Sequence, residues 1–515
     1  MSTQALSPSD FASRPTMKRS IIKFGVSALI IGLALYLILA LYAQGEFVFA
    51  LLFLVLTGSA VFVFFDKRLY AHRYIYPSLA GMTLFVIFPL LYTVGIGFTN
   101  FSADNLLSHE RVQQSLLSRT YESEAVRYKY QLFEQPEGYV VYLDAPTQTL
   151  RSAPFSLDAT EKLEPVPVTA TTDQPVGEAL PLRDVIKLRK ALGKVVLATE
   201  DGRELRQANL RAFAAVHPLY SLAGGEQLVN NRTGVTYYPN HDTGFYQSAE
   251  GDRLTPGWSV TIGFANYLQV LTDPGIRDPF LQIFLWTIVF AVATVVFTLL
   301  LGLLLANLLQ WDQIKGKAFY RTMFILPYAV PAFISILVFK GLFNQNFGEI
   351  NLILENVFGI RPDWFSDPTL ARTMILIVNT WLGYPYMMLL TMGLLQSIPR
   401  DLYEASAMDG AGPLSNLLNV TFPLIIKPLV PLLVASFAFN FNNFVLIALL
   451  TGGAPDIIGA GTPAGTTDLL VSYTYRIAFQ DSGQNFGLAA AIATIIFLLV
   501  GALSLLNLKL SKIKV

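Results

Sequence analysis

Three asparagines interrupt the apolar run Ser436–Ile447, SFAFNFNNFVLI, at Asn440, Asn442 and Asn443. Each amide brings two donors and an acceptor with two lone pairs, and hydrocarbon satisfies none of them. At about 100° per residue, Ser436, Phe439, Asn440 and Asn443 fall on one helical face, while Asn442 points elsewhere. A comparable stripe, Asn379, Leu382, Gly383 and Tyr386, runs along a second apolar stretch. Amides and hydroxyls pair with the hydroxyls of a sugar, and aromatic faces such as Phe439 and Tyr386 lie against its C–H surfaces. Gly383 permits close approach. The same amides also suit a structural role, because an intramembrane Asn often bonds a neighbouring helix, with couplings averaging about 0.6 kcal/mol. The pattern alone leaves both readings open.

A second stretch carries a different kind of chemistry. The polar loop SIPRDLYEASAMDGAGPLSNLLNVTFPLIIKP spaces Glu404, Ala405, Ser406 and Gly410 ahead of Val420 and Phe422-Pro423. Residues 400–408 suit a short helix after Pro399, with small residues on one face and Glu404 near its start. Gly410, Gly412 and Pro413 then break it. A short surface helix with a small-residue face fits a partner's cleft. An ordinary amphipathic linker has no need of this spacing.

Both stretches must be held by membrane spans. Of the 515 residues, 53% are hydrophobic and only 14% charged, against about 25% charged in an average soluble chain. With no cysteine, disulfides, thiol catalysis and thiolate metal sites are excluded. His72, His109, His217 and His241 are scattered without zinc-like pairing, and no basic patch supports nucleic-acid binding. A spanning helix needs roughly 20 apolar residues. Eight stretches qualify: 24–42, 47–65, 75–98, 280–306, 322–342, 372–396, 428–450 and 486–508. The first follows Lys18, Arg19 and Lys23, but it is too long for a signal-peptide core and no clear A-x-A site follows, so it reads as a retained anchor.

Charge bias in the short loops sets orientation. Arg14, Lys18, Arg19, Lys23, Lys67, Arg68, Arg73, Lys315, Lys317, Arg321, Arg400, Lys427, Lys509, Lys512 and Lys514 all fall on one side of an eight-span arrangement. The other side carries only Arg361, Arg372 and Arg476 in its short loops. Both termini are therefore expected in the cytoplasm, and residues 100–279 outside it. That insert is rich in charge, Pro, Thr and Ser, with β-like runs at 138–143 and 234–239 and a hairpin across 194–206 closing at Asp201-Gly202. The expected fold is an all-α polytopic membrane protein with eight transmembrane helices, plus a soluble, largely β extracytoplasmic insert between helices 3 and 4. Its parts are a cytoplasmic terminus (1–23), helices 1–3 (24–99), the insert (100–279) and helices 4–8 (280–515), with the polar loop at 397–427.

No Lys, Arg, Asp or Glu lies mid-span, and Lys340 sits at an edge. Ion-coupled carriers and proton pumps usually keep ionisable groups at depth, so this pattern counts against them. A TVGYG filter, a GxxxxGK[ST] phosphate loop and a GxSxG elbow are also missing. Energy for uphill movement must then come from a partner.

The spacing E-A-x-x-x-x-G-x(9)-φ-x-φ-P, from Glu404 to Pro423, resembles the EAA loop of bacterial ABC importer permeases. Ser406, Val420 and Phe422 replace the usual Ala, Ile and Leu. GFANYLQVLTD (263–273), YRTMFILPYAVP (320–331), FKGLFNQNFGEIN (339–351), NTWLGYPYMM (379–388) and YEASAMDGAG (403–412) extend the likeness. With the eight-span topology and large insert, the chain is similar over nearly its whole length to the larger maltose/maltodextrin permease subunits of that family. The resemblance implies a bacterial inner-membrane location and a heterodimer with a smaller, MalG-like permease. It also implies a MalK-like ATPase dimer that binds ATP and Mg, so this chain itself carries no cofactor and no catalysis. A periplasmic maltose-binding protein would deliver maltose or maltodextrin and be held by the insert. Glu404, Ala405, Ser406 and Gly410 would seat the coupling helix in an ATPase groove. Asn440, Asn443, Tyr386, Phe439, Ser436, Gly383 and Leu382 would line the sugar site mid-membrane, with Asn379 and Asn442 outside that set.

Three alternatives compete: an importer permease for another oligosaccharide, a channel or carrier acting alone, and a tethered receptor or enzyme in which the insert is the working part. Charge-free spans oppose the carrier, and eight spans exceed what a tether needs.

Overall fold

The computed structural model describes residues 17–145, 148–157, 165–172, 177–311 and 313–510. Most of the expected cytoplasmic terminus, Arg14 included, lies outside the described residues, as do Lys512 and Lys514. The chain divides into two compact units. One comprises the chain up to Phe98, Tyr267–Tyr475 and the stretch from Leu488 onward; the other comprises Thr99–Asn266 and Arg476–Gly487.

The first unit is helical. Helices α1 (Met17–Ala43) and α2 (Phe47–Phe65) form a hairpin through Gly45, whose φ of +81° suits a residue without a Cβ. Their large apolar side chains, among them Leu29, Leu33 and Phe62, point outward, as lipid-facing helices require. Helix α3 (His72–Ile96) loosens into a π turn at Thr83–Ile87 just before Phe88-Pro89. Pro89 has no N–H for the preceding turn, and its ring crowds the carbonyl four residues back, so the ladder widens there.

Six described helices are long and apolar enough to cross a membrane, or seven if one bent pair counts as a single span. The expected span 322–342 is that pair. Helix α5 (Lys317–Ala329) and helix α6 (Ala332–Leu342) meet at 91° across Val330-Pro331. Span 372–396 corresponds to α7 (Pro368–Leu395), whose N-cap Asp367 accepts from the Leu370 N–H at 2.8 Å. Helix α8 (Arg400–Met408) follows, then α9 (Pro413–Phe441) with its own π turn at Leu417–Thr421 ahead of Phe422-Pro423. Expected span 428–450 is not continuous, because α9 stops at Phe441 and α10 (Phe444–Leu450) begins anew. The final apolar helix, α11, runs Phe486–Leu510.

Helix α4 (Pro274–Gln310) packs in parallel against α7 at a fixed register. A Cβ on Gly302 would meet the Met388 nitrogen at 2.7 Å, and one on Gly383 would meet Thr298 Cγ2 at 2.8 Å. Around this seam, Trp286, Phe290, Met374 and Val378 pack with Leu446 and Ile447 of α10. Further along, Leu299, Leu303, Met388 and Met392 pack with Ile425 and Leu429 of α9. Gly302→Ala is therefore expected to destabilise the unit by about 1–3 kcal/mol through overpacking. The check is the thermal midpoint of the purified protein, and an unshifted midpoint would show that the seam tolerates a wider spacing.

The second unit is β-rich. Strands β1 (Thr120–Gln135), β2 (Gly138–Asp144), β3 (Thr149–Ser152), β4 (Val166–Thr171), β5 (Val196–Thr199), β6 (Glu204–Asn209) and β7 (Ala212–Pro218) form a closed barrel. Helix Leu182–Leu192 makes the crossover between the parallel pair β4 and β5 and adds Val185 and Leu192 to the barrel core. The hairpin expected across 194–206 is β5 and β6, with Val196 opposite Arg206 and Gly202 at φ +76° in the turn. A five-stranded sheet of β8 (Tyr220–Ala223), β9 (Gln227–Asn230), β10 (Thr236–Asn240), β11 (Phe245–Ser248) and β12 (Arg253–Leu254) packs against helix His109–Leu117 through Val112 and Leu116.

Candidate functional site

The face of four residues expected on one continuous helix needs correction. Asn442 leaves helical geometry at φ −106° and ψ 24°, and Asn443 becomes the N-cap of α10, its Oδ1 accepting from the Leu446 N–H at 3.4 Å. Asparagine stabilises such a junction because its side chain replaces the backbone acceptor that a new helix lacks. Asn440 and Asn443 still reach the same place, but from the two sides of a break.

Their common partner is Asn379 on α7. The Asn379 Nδ2 donates to Asn440 Oδ1 at 2.8 Å and to Thr294 Oγ1 on α4 at 3.2 Å. In return, Asn443 Nδ2 donates to Asn379 Oδ1 at 3.2 Å. Asn440 completes its pairing by donating to the Ser436 carbonyl at 2.8 Å, with Ser436 Oγ at 3.4 Å. Asn379 is 5% exposed and Asn440 7%, while Ser436 and Asn443 are half-buried. Burial is tolerable because each amide finds partners. Asn379, outside the expected binding set, is thus the hub. Sequence offered its stripe on α7 but not its acceptor, Thr294, which lies 85 residues away.

The remaining expected residues divide. Gly383 turns toward Thr298 of α4, where a Cβ would meet Thr298 Cγ2 at 2.8 Å, so the close approach its missing side chain allows is to the neighbouring helix. Phe439 is 73% exposed and Tyr386 40%, both presenting rings outward, and Leu382 is half-buried. Asn442 is exposed and bonds back to the Ala438 carbonyl at 3.1 Å. The cluster is neutral throughout. It offers carbonyl lone pairs, a spare N–H on Asn443 and the Ser436 hydroxyl. Such a surface pairs with hydroxyls and holds no group suited to acid–base or nucleophilic work. Among the described residues, no three His, Cys, Asp or Glu side chains gather as a metal would require.

The polar loop is built to present one side. Tyr403 OH bonds Thr421 Oγ1 at 3.0 Å, and Ser406 Oγ donates to Asn416 Oδ1, tying α8 to the start of α9. The Ser406 hydroxyl is therefore engaged by its own chain, while the residue stays half-buried. Gly410, at φ +79°, ends the helix, with the Ala411 N–H on the Ser406 carbonyl at 3.0 Å. Glu404 and Ala405 remain exposed, as do Leu402 and Met408, the latter 88% exposed. The tethers Tyr403, Asn416 and Thr421 escaped sequence reading, since only the folded loop brings them together.

Comparison with known proteins gives the chain's relatives. Residues 21–68 match the N-terminal transmembrane region of MalF, and residues 107–263 match the P2 domain of maltose transport system permease protein MalF. Residues 298–510 match the binding-protein-dependent transport system inner membrane component. The maltose/maltodextrin transport system permease protein MalF of Photorhabdus laumondii is 57% identical over 490 residues, covering 93% of this chain and 94% of its own. Its counterpart in Vibrio cholerae is 52% identical over 520 residues, covering 99% and 98%. That of Escherichia coli K12 is 52% identical over 499 residues, covering 95% and 96%. A solved bacterial ABC transporter involved in alginate import aligns at a TM-score of 0.43 and 20% identity, over 49% of this chain and 84% of that one.

Proposed function

The chain belongs to the MalF family of maltose/maltodextrin transport permeases, and from that premise we propose how it acts. It is the permease subunit of a maltose/maltodextrin ABC importer, a multi-pass inner-membrane transport subunit and not an enzyme. Our proposal gives it eight spans, counting α5 with α6 and α9 with α10 as broken single spans and α11 as the last. Both termini face the cytoplasm and residues 100–279 the periplasm, in keeping with the basic loops. A MalG-like second permease pairs with it, and a MalK-like ATPase dimer supplies ATP and Mg.

One observation carries the site assignment: three neutral amides from two spans converge, with exposed Phe439 next to Asn440 in the chain and exposed Tyr386 about two turns along α7 from Asn379. Maltose delivered by the periplasmic binding protein rests there, its hydroxyls exchanging water for Asn440, Asn443 and Ser436 and its C–H faces lying on the rings. Tyr386 and Leu382 line the path, while Gly383 acts by fixing the wall behind it. Glu404 and Ala405 dock α8 into an ATPase groove, held rigid by Ser406 and ended by Gly410. ATP and loaded binding protein both favour the outward-facing state, and hydrolysis releases it.

Reconstitution tests the proposal. The four-component system should accumulate maltose only with ATP, and the purified chain alone should show neither ATPase activity nor uphill transport. Accumulation without any ATPase would sink the reading, and preference for an unrelated oligosaccharide would redirect it.

A further inference from the structure

Thr294 makes no contact expected of a sugar ligand, yet its hydroxyl sits at the centre of the geometry just described. We propose that Thr294 is a positioning residue for the membrane sugar site, acting through Asn379. This rests on the reading of Asn440 and Asn443 as sugar-binding groups and deepens it.

The argument is one of counting. Asn379 has two N–H donors, and both are committed, one to Asn440 Oδ1 at 2.8 Å and one to Thr294 Oγ1 at 3.2 Å. Its Oδ1 accepts from Asn443. The Asn440 bond joins two groups beside the proposed ligand, so a sugar hydroxyl that competes for either can replace it. The Thr294 bond is different, because Thr294 is 1% exposed and faces the α4–α7 seam. That buried hydroxyl holds the Asn379 amide in one orientation whether or not the other bonds exchange. The amide plane in turn decides which edge meets Asn443 and which meets Asn440.

The seam fixes this geometry from outside the site. Thr298 Oγ1 donates back to the Thr294 carbonyl at 2.7 Å, and its Cγ2 lies against Gly383 one turn beyond Asn379. A further turn along, Gly302 meets Met387. Thr294 with Asn379, Thr298 with Gly383 and Gly302 with Met387 form successive rungs at one register. The hydroxyl and the close-packed rungs together restrain Asn379.

The test uses the complete reconstituted complex with Thr294→Val, which keeps the shape and removes the acceptor, and Thr294→Ser, which keeps the acceptor. Thr294→Val should lower maltose uptake about tenfold, the order expected when a buried donor loses its acceptor. ATP hydrolysis stimulated by loaded binding protein should stay within about twofold of the parent, since α8 and the ATPase contacts are untouched. Thr294→Ser should restore uptake. Parental uptake in Thr294→Val overturns the proposal, and so does parallel loss of uptake and stimulated hydrolysis in an assembled complex, which marks a structural role. Should Thr294→Val not assemble, Thr294→Ala replaces it, and normal uptake there is equally fatal. Asn440→Ala, run beside them, separates the two levels. If Asn440→Ala transports normally, the sugar-site reading has failed; if it is crippled while Thr294→Val is not, only the role of Thr294 has failed.

Discussion

Asn440→Ala is expected to lower maltose uptake by one to two orders of magnitude while leaving the transport complex assembled. The substitution removes an acceptor for Asn379 Nδ2 and a donor to Ser436 at once. A buried donor left without a partner carries a penalty of about 1–3 kcal/mol, and the sugar loses an amide in addition. Alanine is a good helix former, and Asn440 lies in the last turn of α9, so the helix itself survives. Uptake in proteoliposomes and co-purification of the partner subunits measure the two quantities separately. If the complex falls apart, the amides are glue between helices; if it persists and uptake collapses, they are sugar ligands. Asn443→Ala is a less clean probe, because it also strips the N-cap from α10, worth about 1 kcal/mol. Asn443→Ser retains a capping oxygen and isolates the amide.

The distinction matters because the structure carries features of both readings. In this conformation the three amides bond one another, which is what helix glue does. Yet the second N–H of Asn443 and the half-buried Ser436 hydroxyl leave the cluster polar groups to offer a ligand. Couplings between polar side chains in membranes average only about 0.6 kcal/mol, so such bonds exchange readily for bonds to a ligand of similar chemistry. A self-satisfied cluster is what an empty polar site needs if it is to sit in a membrane without penalty. On the proposed reading, sugar enters by exchange, not by filling a void.

How much of this could be read from sequence depends on the range of the interaction. Charge-free spans, the basic loops, the Glu404-to-Pro423 spacing and the Asp201-Gly202 hairpin are local patterns, and each was legible. Helix breaks were not, although their residues were in view. Pro331 and Asn442 sit inside runs that are apolar on average, and a window long enough to detect a span averages over a two-residue break. The same blindness hid both π turns, which precede Phe88-Pro89 and Phe422-Pro423. Hydropathy sees proline as neutral, while the backbone sees a missing donor. Asn379 was legible as part of a stripe but not as a hub, because its meaning lies in Thr294, Asn440 and Asn443, each on another helix. Gly383 was legible as a point of close approach, but its neighbour there, Thr298, is a contact that only the α4–α7 register creates. Periodicity reports which residues share a face; it does not report what the face meets.

Glu404→Lys should abolish coupling: maltose uptake and the hydrolysis stimulated by loaded binding protein both fall about a hundredfold, while that protein still docks on the periplasmic side. The effect follows from where Glu404 lies. It is exposed on α8 and makes no ion pair among the described residues, so reversal of its charge hardly disturbs the chain's own fold. The helix beneath it is anchored elsewhere, through Tyr403 to Thr421 and Ser406 to Asn416. A charge paired with no described residue, on a tethered helix beside exposed Leu402 and Met408, fits the proposed docking to the ATPase. Placing a wrong-sign charge in such an interface opposes association by several kcal/mol, enough for the stated loss. Glu404→Gln, which removes the charge without reversing it, should cost less than Glu404→Lys. Uptake, stimulated hydrolysis and binding-protein docking on the same preparation resolve the outcome. If Glu404→Lys transports normally, docking rests on the apolar and small residues of α8 alone; if docking on the periplasmic side fails with it, the substitution has acted through the fold and not through the ATPase.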